Sequence, residues 1–344
     1  MKTQGIKNVL DEIISVLNPR VRSVIEKRFG LRSEAYQTLE AIGQNLGITR
    51  ERVRQIEALG LKQLSNKNVS EALMPAFGVI ENYLREHGGV RREDYFLQET
   101  ADLLKVNEKN RENIINFVLA LGRDRFLYFK ETPEKYVAWA LGGDNYAAAG
   151  DLINALKKKL ADAGSPVSED KIFKIAATEA VALSRKAAFS YISLCRQVSQ
   201  NPFGEWGLAE SPEVSPKGVK DKAYLIFKKE KQPLHFNAVA QLINDASFSD
   251  RRAHPQTVHN ELIKDPRFVL VGRGTYALTD WGYEPGTVKD VIVSILKKCE
   301  IGMTRDEIVK TVQSKRLVKE NTILLNLQNK KLFKKIDDER FTLK

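Results

Sequence analysis

Residues 28–57, RFGLRSEAYQTLEAIGQNLGITRERVRQIE, carry a spacing that few folds can satisfy. From Leu39 onward, apolar side chains fall at Leu39, Ile42, Leu46, Ile48, Val53 and Ile56. Two helices crossing at a tight turn need apolar groups at such offsets to share one small core. Gly43 is small where such helices come closest, and Gly47 stands where the turn needs a left-handed backbone, a conformation glycine adopts at little cost. Thr38 and Thr49 each precede a helix and can cap its first amides. The stretch predicts a helix-turn-helix.

The second helix, TRERVRQIEAL, turns Val53 and Ile56 inward and leaves Arg50, Glu51, Arg54 and Gln55 at its outward N-terminal end. That end is the one a recognition helix pushes into the major groove. Arg suits guanine O6 and N7, Gln suits adenine, and Glu accepts from the cytosine amino group. The competing reading is an ordinary solvated face laced by ion pairs at i+3 and i+4.

RFGL followed by TLEAIGQNLGITRERVRQIE resembles region 4 of the sigma-70 family of transcription initiation factors, and LNPRVRSVIEKRFGL resembles the first helices of that region. The likeness covers about residues 8–66. It implies binding of double-stranded promoter DNA at the −35 element and docking on the beta flap of RNA polymerase. It also implies Arg50, Glu51, Arg54 and Gln55 as base readers, with Arg52 and Lys62 nearer phosphates and Thr38 and Thr49 within the DNA-binding set. A departure occurs at ALGLKQL, which contains Gly60 where the family commonly has alanine and a basic residue in this run. Gly60 is expected to loosen the helix end by up to about 1 kcal/mol relative to Ala. Nothing in the chain resembles the aromatic-rich helix that melts the −10 element, so a complete sigma factor is not expected.

Beyond residue 70 one pattern recurs about every 70 residues, the mark of repeated modules. FGVIENYLREH, DLINALKKKLADAG, KAYLIFKKEKQ and DVIVSILKKCE each open a unit as an amphipathic helix. A polar turn, two further helices and an alternating ribbon follow each time. Three helices and a two-stranded ribbon describe a winged helix. VGRGTYAL places Gly272 and Gly274 in one hairpin, and KKIDDERF places Asp337 and Asp338 in another. The expected domains are 1–70, 71–145, 146–216, 217–284 and 285–344, with SPEVSPKG, from Ser211, as a linker. QPLHFNAVAQLI and RRAHPQTVHNELIKDPRFVLVGRGTYAL, about residues 218–283, resemble the HARE-type helix-turn-helix domain. That family is a winged helix found in, among others, the delta subunit of bacterial RNA polymerase.

In HPQTVHNELIK, Val258 and Leu262 mark a buried side, so Gln256, Thr257, Asn260 and Lys264 turn outward behind Arg251 and Arg252. Those types hydrogen-bond bases or phosphates, although a solvated face has the same composition. His254 and His259 suit a helix start and packing better than metal ligation. In the last unit Lys315, Arg316 and Lys319 precede the third helix, and Lys330, Lys331, Lys334 and Lys335 flank the ribbon, as phosphate contact would require. Trp139, Trp206 and Trp281 all sit at ribbon ends, which favours packing over base stacking.

Lys and Arg outnumber Asp and Glu by 55 to 44, a net charge of +11. That balance suits a polyanionic partner, because displaced counterions reward clustered cations. Cys195 and Cys299 are too far apart in sequence for a zinc motif. They suit a reducing cytoplasm as small buried groups. VLDEIISVL holds Asp11 and Glu12 inside its apolar stretch, unlike a signal peptide, and no apolar run reaches membrane-spanning length. No phosphate-binding loop, nucleophile elbow or HExxH motif occurs. The expectation is therefore a cytoplasmic, mainly α protein of tandem helix-turn-helix and winged-helix modules with small β-ribbons. It would be no enzyme and need no cofactor, metal or small-molecule substrate. It would be a transcription factor reading −35-like DNA or, alternatively, a delta-like RNA polymerase accessory subunit acting by protein contacts.

Overall fold

The structure is a computed structural model that describes residues 5–32, 35–180, 183–246, 248, 251–299, 301–336 and 340–344. Asp337 and Asp338, expected in the last hairpin, lie outside the described residues. The chain is mainly helical, with sixteen α-helices and small antiparallel sheets among the described residues. It divides into two compact units, residues 1–199 with 206–208, and residues 200–205 with 209–344.

The first unit opens with α1 (Ile6–Ser15), α2 (Pro19–Phe29), α3 (Leu39–Leu46) and α4 (Arg50–Leu64). Asn18 caps α2, accepting from the Val21 amide at 2.9 Å, with Pro19 at the first helical position, where its missing N–H costs nothing. Next come α5 (Lys67–Glu86), β1 (Val90–Arg92), α6 (Glu93–Leu103), α7 (Arg111–Leu121), β2 (Leu127–Phe129) and β3 (Ala138–Ala140). The unit ends with α8 (Gly143–Ala163), α9 (Glu169–Glu179), α10 (Arg185–Leu194) and the strands β4 (Val198–Gln200) and β5 (Trp206–Leu208).

A strand stands where the sequence suggested only a polar turn. β1 pairs antiparallel with β3, which pairs with β2. A strand this short shows too little alternation to announce itself. A second difference concerns the separation of the first two modules. Leu10, Ile14, Val24 and Ile25 belong to the same buried cluster as Leu73, Phe77, Ile80 and Phe117. Phe29 of α2 meets Phe117 of α7 at 5.0 Å, and Asn110 donates to the Gly30 carbonyl at 2.8 Å. Residues 1–70 thus share one core with the first repeat.

The central strand β3 is covered on both faces. Trp139 turns to the first core, where its indole N–H donates to Glu93 at 3.1 Å. Val90, Ala138 and Ala140, all 0% exposed, turn to a second core built on Leu152, Ile153, Ala188 and Ile192 of α8 and α10. Period-two alternation puts large groups on one side and small ones on the other. The small side admits the next helices closely, and Ser190 there donates to the Val90 carbonyl at 2.6 Å.

The second unit contains α11 (Val219–Glu230), β6 (Leu234–His235), α12 (Phe236–Asp245), α13 (Pro255–Lys264), β7 (Phe268–Gly272) and β8 (Thr275–Leu278). It continues with α14 (Val288–Lys297), β9 (Met303–Thr304), α15 (Arg305–Lys315), α16 (Glu320–Leu327), β10 (Phe333–Lys335) and β11 (Arg340–Leu343). Both halves repeat the order helix, strand, helix, helix, hairpin, and both sheets place the last strand between the other two. Gly274, at φ +65°, makes the expected turn between β7 and β8. Phe268, Tyr276 and Leu278 face their own core, while Val269, Val271 and Ala277 form a separate buried cluster. The Leu317 amide donates to the Val271 carbonyl at 3.1 Å. The segment expected as a linker is anchored, because Val214 is buried and the Glu213 carbonyl accepts from Asn201 at 3.2 Å. Trp139, Trp206 and Trp281 all pack against cores.

Candidate nucleic-acid interface

The helix-turn-helix forms on α3 and α4. Ile42 and Val53 are fully buried and Ile56 nearly so, while Leu39, Leu46 and Ile48 pack partly buried against them. Gly47 ends α3 at φ +63°. Thr38 accepts from the Ala41 amide at 3.1 Å and Thr49 from the Arg52 amide at 3.2 Å, so both hydroxyls act as caps. At Gly43 an added Cβ would lie 2.7 Å from the Ile48 carbonyl oxygen. Its smallness lets α3 approach the turn and the start of α4, where the Arg50 amide nitrogen would lie 3.5 Å from that Cβ.

Gly60 corrects an expectation. A Cβ there would meet Val21 Cγ1 at 2.8 Å and Ile25 Cγ1 at 3.1 Å, and α4 runs on unbroken to Leu64. The glycine lets α2 lie directly on α4, so its entropic cost is offset by packing.

Arg50, Glu51, Arg52, Arg54 and Gln55 are all exposed on α4. Arg54 grips Glu51 through two hydrogen bonds of 2.7 and 2.8 Å, and Arg52 donates to Gln55 at 3.0 Å. The bond from Arg54 holds the Glu51 carboxyl below its ordinary range, and the bond to Glu51 raises the Arg54 guanidinium. The ion-paired face anticipated as the competing reading is therefore present. Pairs this exposed are weak in water, so a nucleic acid can displace them at little cost.

Two turns along α4, Lys62 is also exposed. Arg54, Glu57, Leu61, Lys62 and Ser65 line a groove of about 420 Å³ together with Arg123, from the turn after α7. Glu57 is held by Arg28 at 3.3 Å. Arg123 was not among the sequence candidates. Its only signal is the run GRDR, and its neighbour Arg125 is committed to Glu81 at 2.9 Å.

The remaining candidates lie in the second unit. Gln256, Thr257, Asn260 and Lys264 are exposed on α13, over the buried Val258 and Leu262, and Arg251 and Arg252 are exposed before it. Gln256 donates to Asn260 at 3.2 Å. His254 caps α13, and His259 stacks on Phe236 at 4.5 Å. Lys330 and Lys331 are exposed in the turn before β10, with Lys334 exposed beyond them. Lys315 and Arg316 differ from expectation. Lys315 pairs with Glu284, and Arg316 is 7% exposed and donates to the Gly286 carbonyl. Docking of Leu317 on β7 draws both inward.

Among the described residues no group of three His, Cys, Asp or Glu could hold a metal ion. None of the described helices is long and apolar enough to cross a membrane. Cys195 is buried and Cys299 half-buried.

Residues 13–66 match the family "Sigma-70, region 4". The chain is 40% identical over 84 residues to the RNA polymerase sigma factor RpoD of Helicobacter pylori, covering 24% of this chain and 11% of that protein. It is 43% identical over 68 residues to the sigma factor SigA1 of Synechococcus elongatus, covering 20% of this chain and 17% of that protein. SigA of a Nostoc species is 41% identical over 68 residues, with the same coverages. The chain thus spans less than a fifth of the length of these curated relatives. The family match runs from the last turn of α1 to the end of α4.

Proposed function

We propose that this protein is a DNA-binding transcription factor that reads −35-like promoter DNA through α4. It would regulate or assist RNA polymerase at initiation, without melting the promoter. One observation carries this reading: exposed Arg50, Glu51, Arg52, Arg54 and Gln55 project from a helix capped by Thr49 and fixed by a buried apolar side. Such a helix offers base edges a rigid row of donors and acceptors. Thr38, Thr49 and Lys62 fall on the same module, where they would flank the bases at the backbone.

The four later modules, winged helices over 71–145, 146–216, 217–284 and 285–344 in this reading, would add weaker contacts. The third of them would be HARE-type. Arg251, Arg252, Gln256, Thr257 and Asn260 form its outward face, and Lys330 and Lys331 would meet phosphates in the fourth. RNA polymerase is the proposed protein partner, through its beta flap. The apolar side of α1 is unavailable for such docking, because Leu10, Ile13 and Ile14 are buried within the chain.

Selection of bound duplexes from a randomised pool tests the reading. Enrichment of a −35-like motif is expected, with Arg54→Ala reducing affinity for it roughly tenfold or more. Absence of any enriched motif would sink it, and co-purification with polymerase would then favour the accessory-subunit reading.

A further inference from the structure

We infer that the first repeat completes the DNA-binding surface of the helix-turn-helix: Lys62 and Arg123, in the groove that runs from Arg54, hold the phosphodiester backbone beside the bases read by α4. This inference rests on the DNA-reading role proposed above and names a residue outside the helix-turn-helix.

The geometry begins with α4. Arg54, Leu61, Lys62 and Ser65 lie along one stripe of the helix, and Arg123 approaches that stripe from the turn after α7. Eight residues separate Arg54 from Lys62, about 12 Å along the axis at 1.5 Å per residue. The major groove of B-DNA is also about 12 Å wide. A helix inserted by its N-terminal end, with Arg54 at the base edges, therefore brings Lys62 and Arg123 to the strand that walls the groove.

Charge and rigidity point the same way. Glu57, the acidic group lining the groove, is engaged by Arg28 at 3.3 Å. Among the described residues, Lys62 and Arg123 have no side-chain ion pair, and both are exposed. α7 packs against α2 and α4, and Phe117 lies fully buried in the common core. The backbone of Arg123 is thus held at a set position relative to α4, so only its side chain has to be ordered by contact with a phosphate. A phosphate is the anion favoured here. The groove carries a cation at either end, Arg54 and Lys62, with Arg123 across from them, the pattern that tracks a polyanion rather than one carboxylate.

The test uses the full chain with the duplex enriched by selection and with a scrambled duplex, titrated across salt concentrations. Arg123→Ala is expected to weaken both duplexes by the same factor, about three- to tenfold, and to lower the salt slope by about 0.9. Arg123→Lys should stay near the parent protein, and Arg123→Glu should fall below Arg123→Ala. Arg54→Ala, by contrast, should act mainly on the enriched duplex. Unchanged affinity and slope for both Arg123→Ala and Arg123→Glu would overturn the inference while leaving base reading by α4 intact. A parent chain that binds duplexes without sequence preference, yet loses the slope with Arg123→Ala, would keep this groove and remove the reading of bases. A parent chain that binds no duplex would overturn both.

Discussion

The sheet of the first repeat and the sheet of the last are built alike and used differently. Each has a short strand before the second helix, a closing hairpin, and the last strand in the middle. In the first repeat the face away from its own core carries Val90, Ala138 and Ala140, buried under α8 and α10. In the last repeat Phe333 and Leu343 face the core together, and their neighbours Lys334 and Thr342 pair on the opposite side, with Lys334 exposed. Small apolar residues turn a hairpin into a joint between modules. A lysine keeps it in water, where it is open to a phosphate. One topology thus yields a buried seam or a solvated face, depending on the residues of a single face.

The largest expected effect comes from placing a lysine of the last sheet's kind into the first. Ala140 is 0% exposed, and Ala140→Lys would bury an unpaired ammonium in a packed seam. A loss of at least about 3 kcal/mol is expected from charge burial and overpacking together, read from the urea midpoint. An unchanged midpoint would mean that the seam is not closed.

The turn leading into that seam supplies the next test. His87 is 4% exposed, its Nδ1 is 2.7 Å from the Tyr83 carbonyl, and burial holds its pKa down to about 4, with Arg91 and Lys186 adding to the effect. The unfolded chain takes up the proton near pH 6.5. The stabilising contribution is therefore complete above that value and falls away as pH drops towards 4. Between pH 7 and pH 5 the loss amounts to about 2 kcal/mol. His87→Gln should flatten stability over that interval, and an equally steep profile in the variant would rule out His87 as its source.

Much of α3 and α4 was legible in the sequence because a helix-turn-helix is a local structure. Its caps, its left-handed Gly47 and its buried Ile42, Val53 and Ile56 follow from offsets within a few turns. The features that escaped depend on residues distant in the chain. Arg123 reaches the groove through packing of α7 on α4, and Lys315 and Arg316 are withdrawn by docking of Leu317 on β7. Neither arrangement leaves a periodic trace. Gly60 was misread for the same reason, since helix propensity sees only its own helix and not Val21 and Ile25 opposite. Gly60→Ala is expected to destabilise by about 1 kcal/mol, overpacking outweighing the gain in propensity. A rise in thermal midpoint would show that α2 can shift to admit the methyl group.

The smallest effect should come from the open face of the last sheet. Lys334 is exposed on β10, so Lys334→Ala should leave the midpoint within about 0.5 kcal/mol of the parent. If that face meets nucleic acid, the same substitution lowers the salt dependence of duplex binding by about 0.9 and weakens every sequence equally. A drop in stability together with unchanged salt dependence would reverse the assignment, making the last sheet a seam like the first. Stability and salt slope would then separate the two uses of one hairpin more sharply than sequence alone, because alanine and lysine at the same register position differ in which partner they can accept.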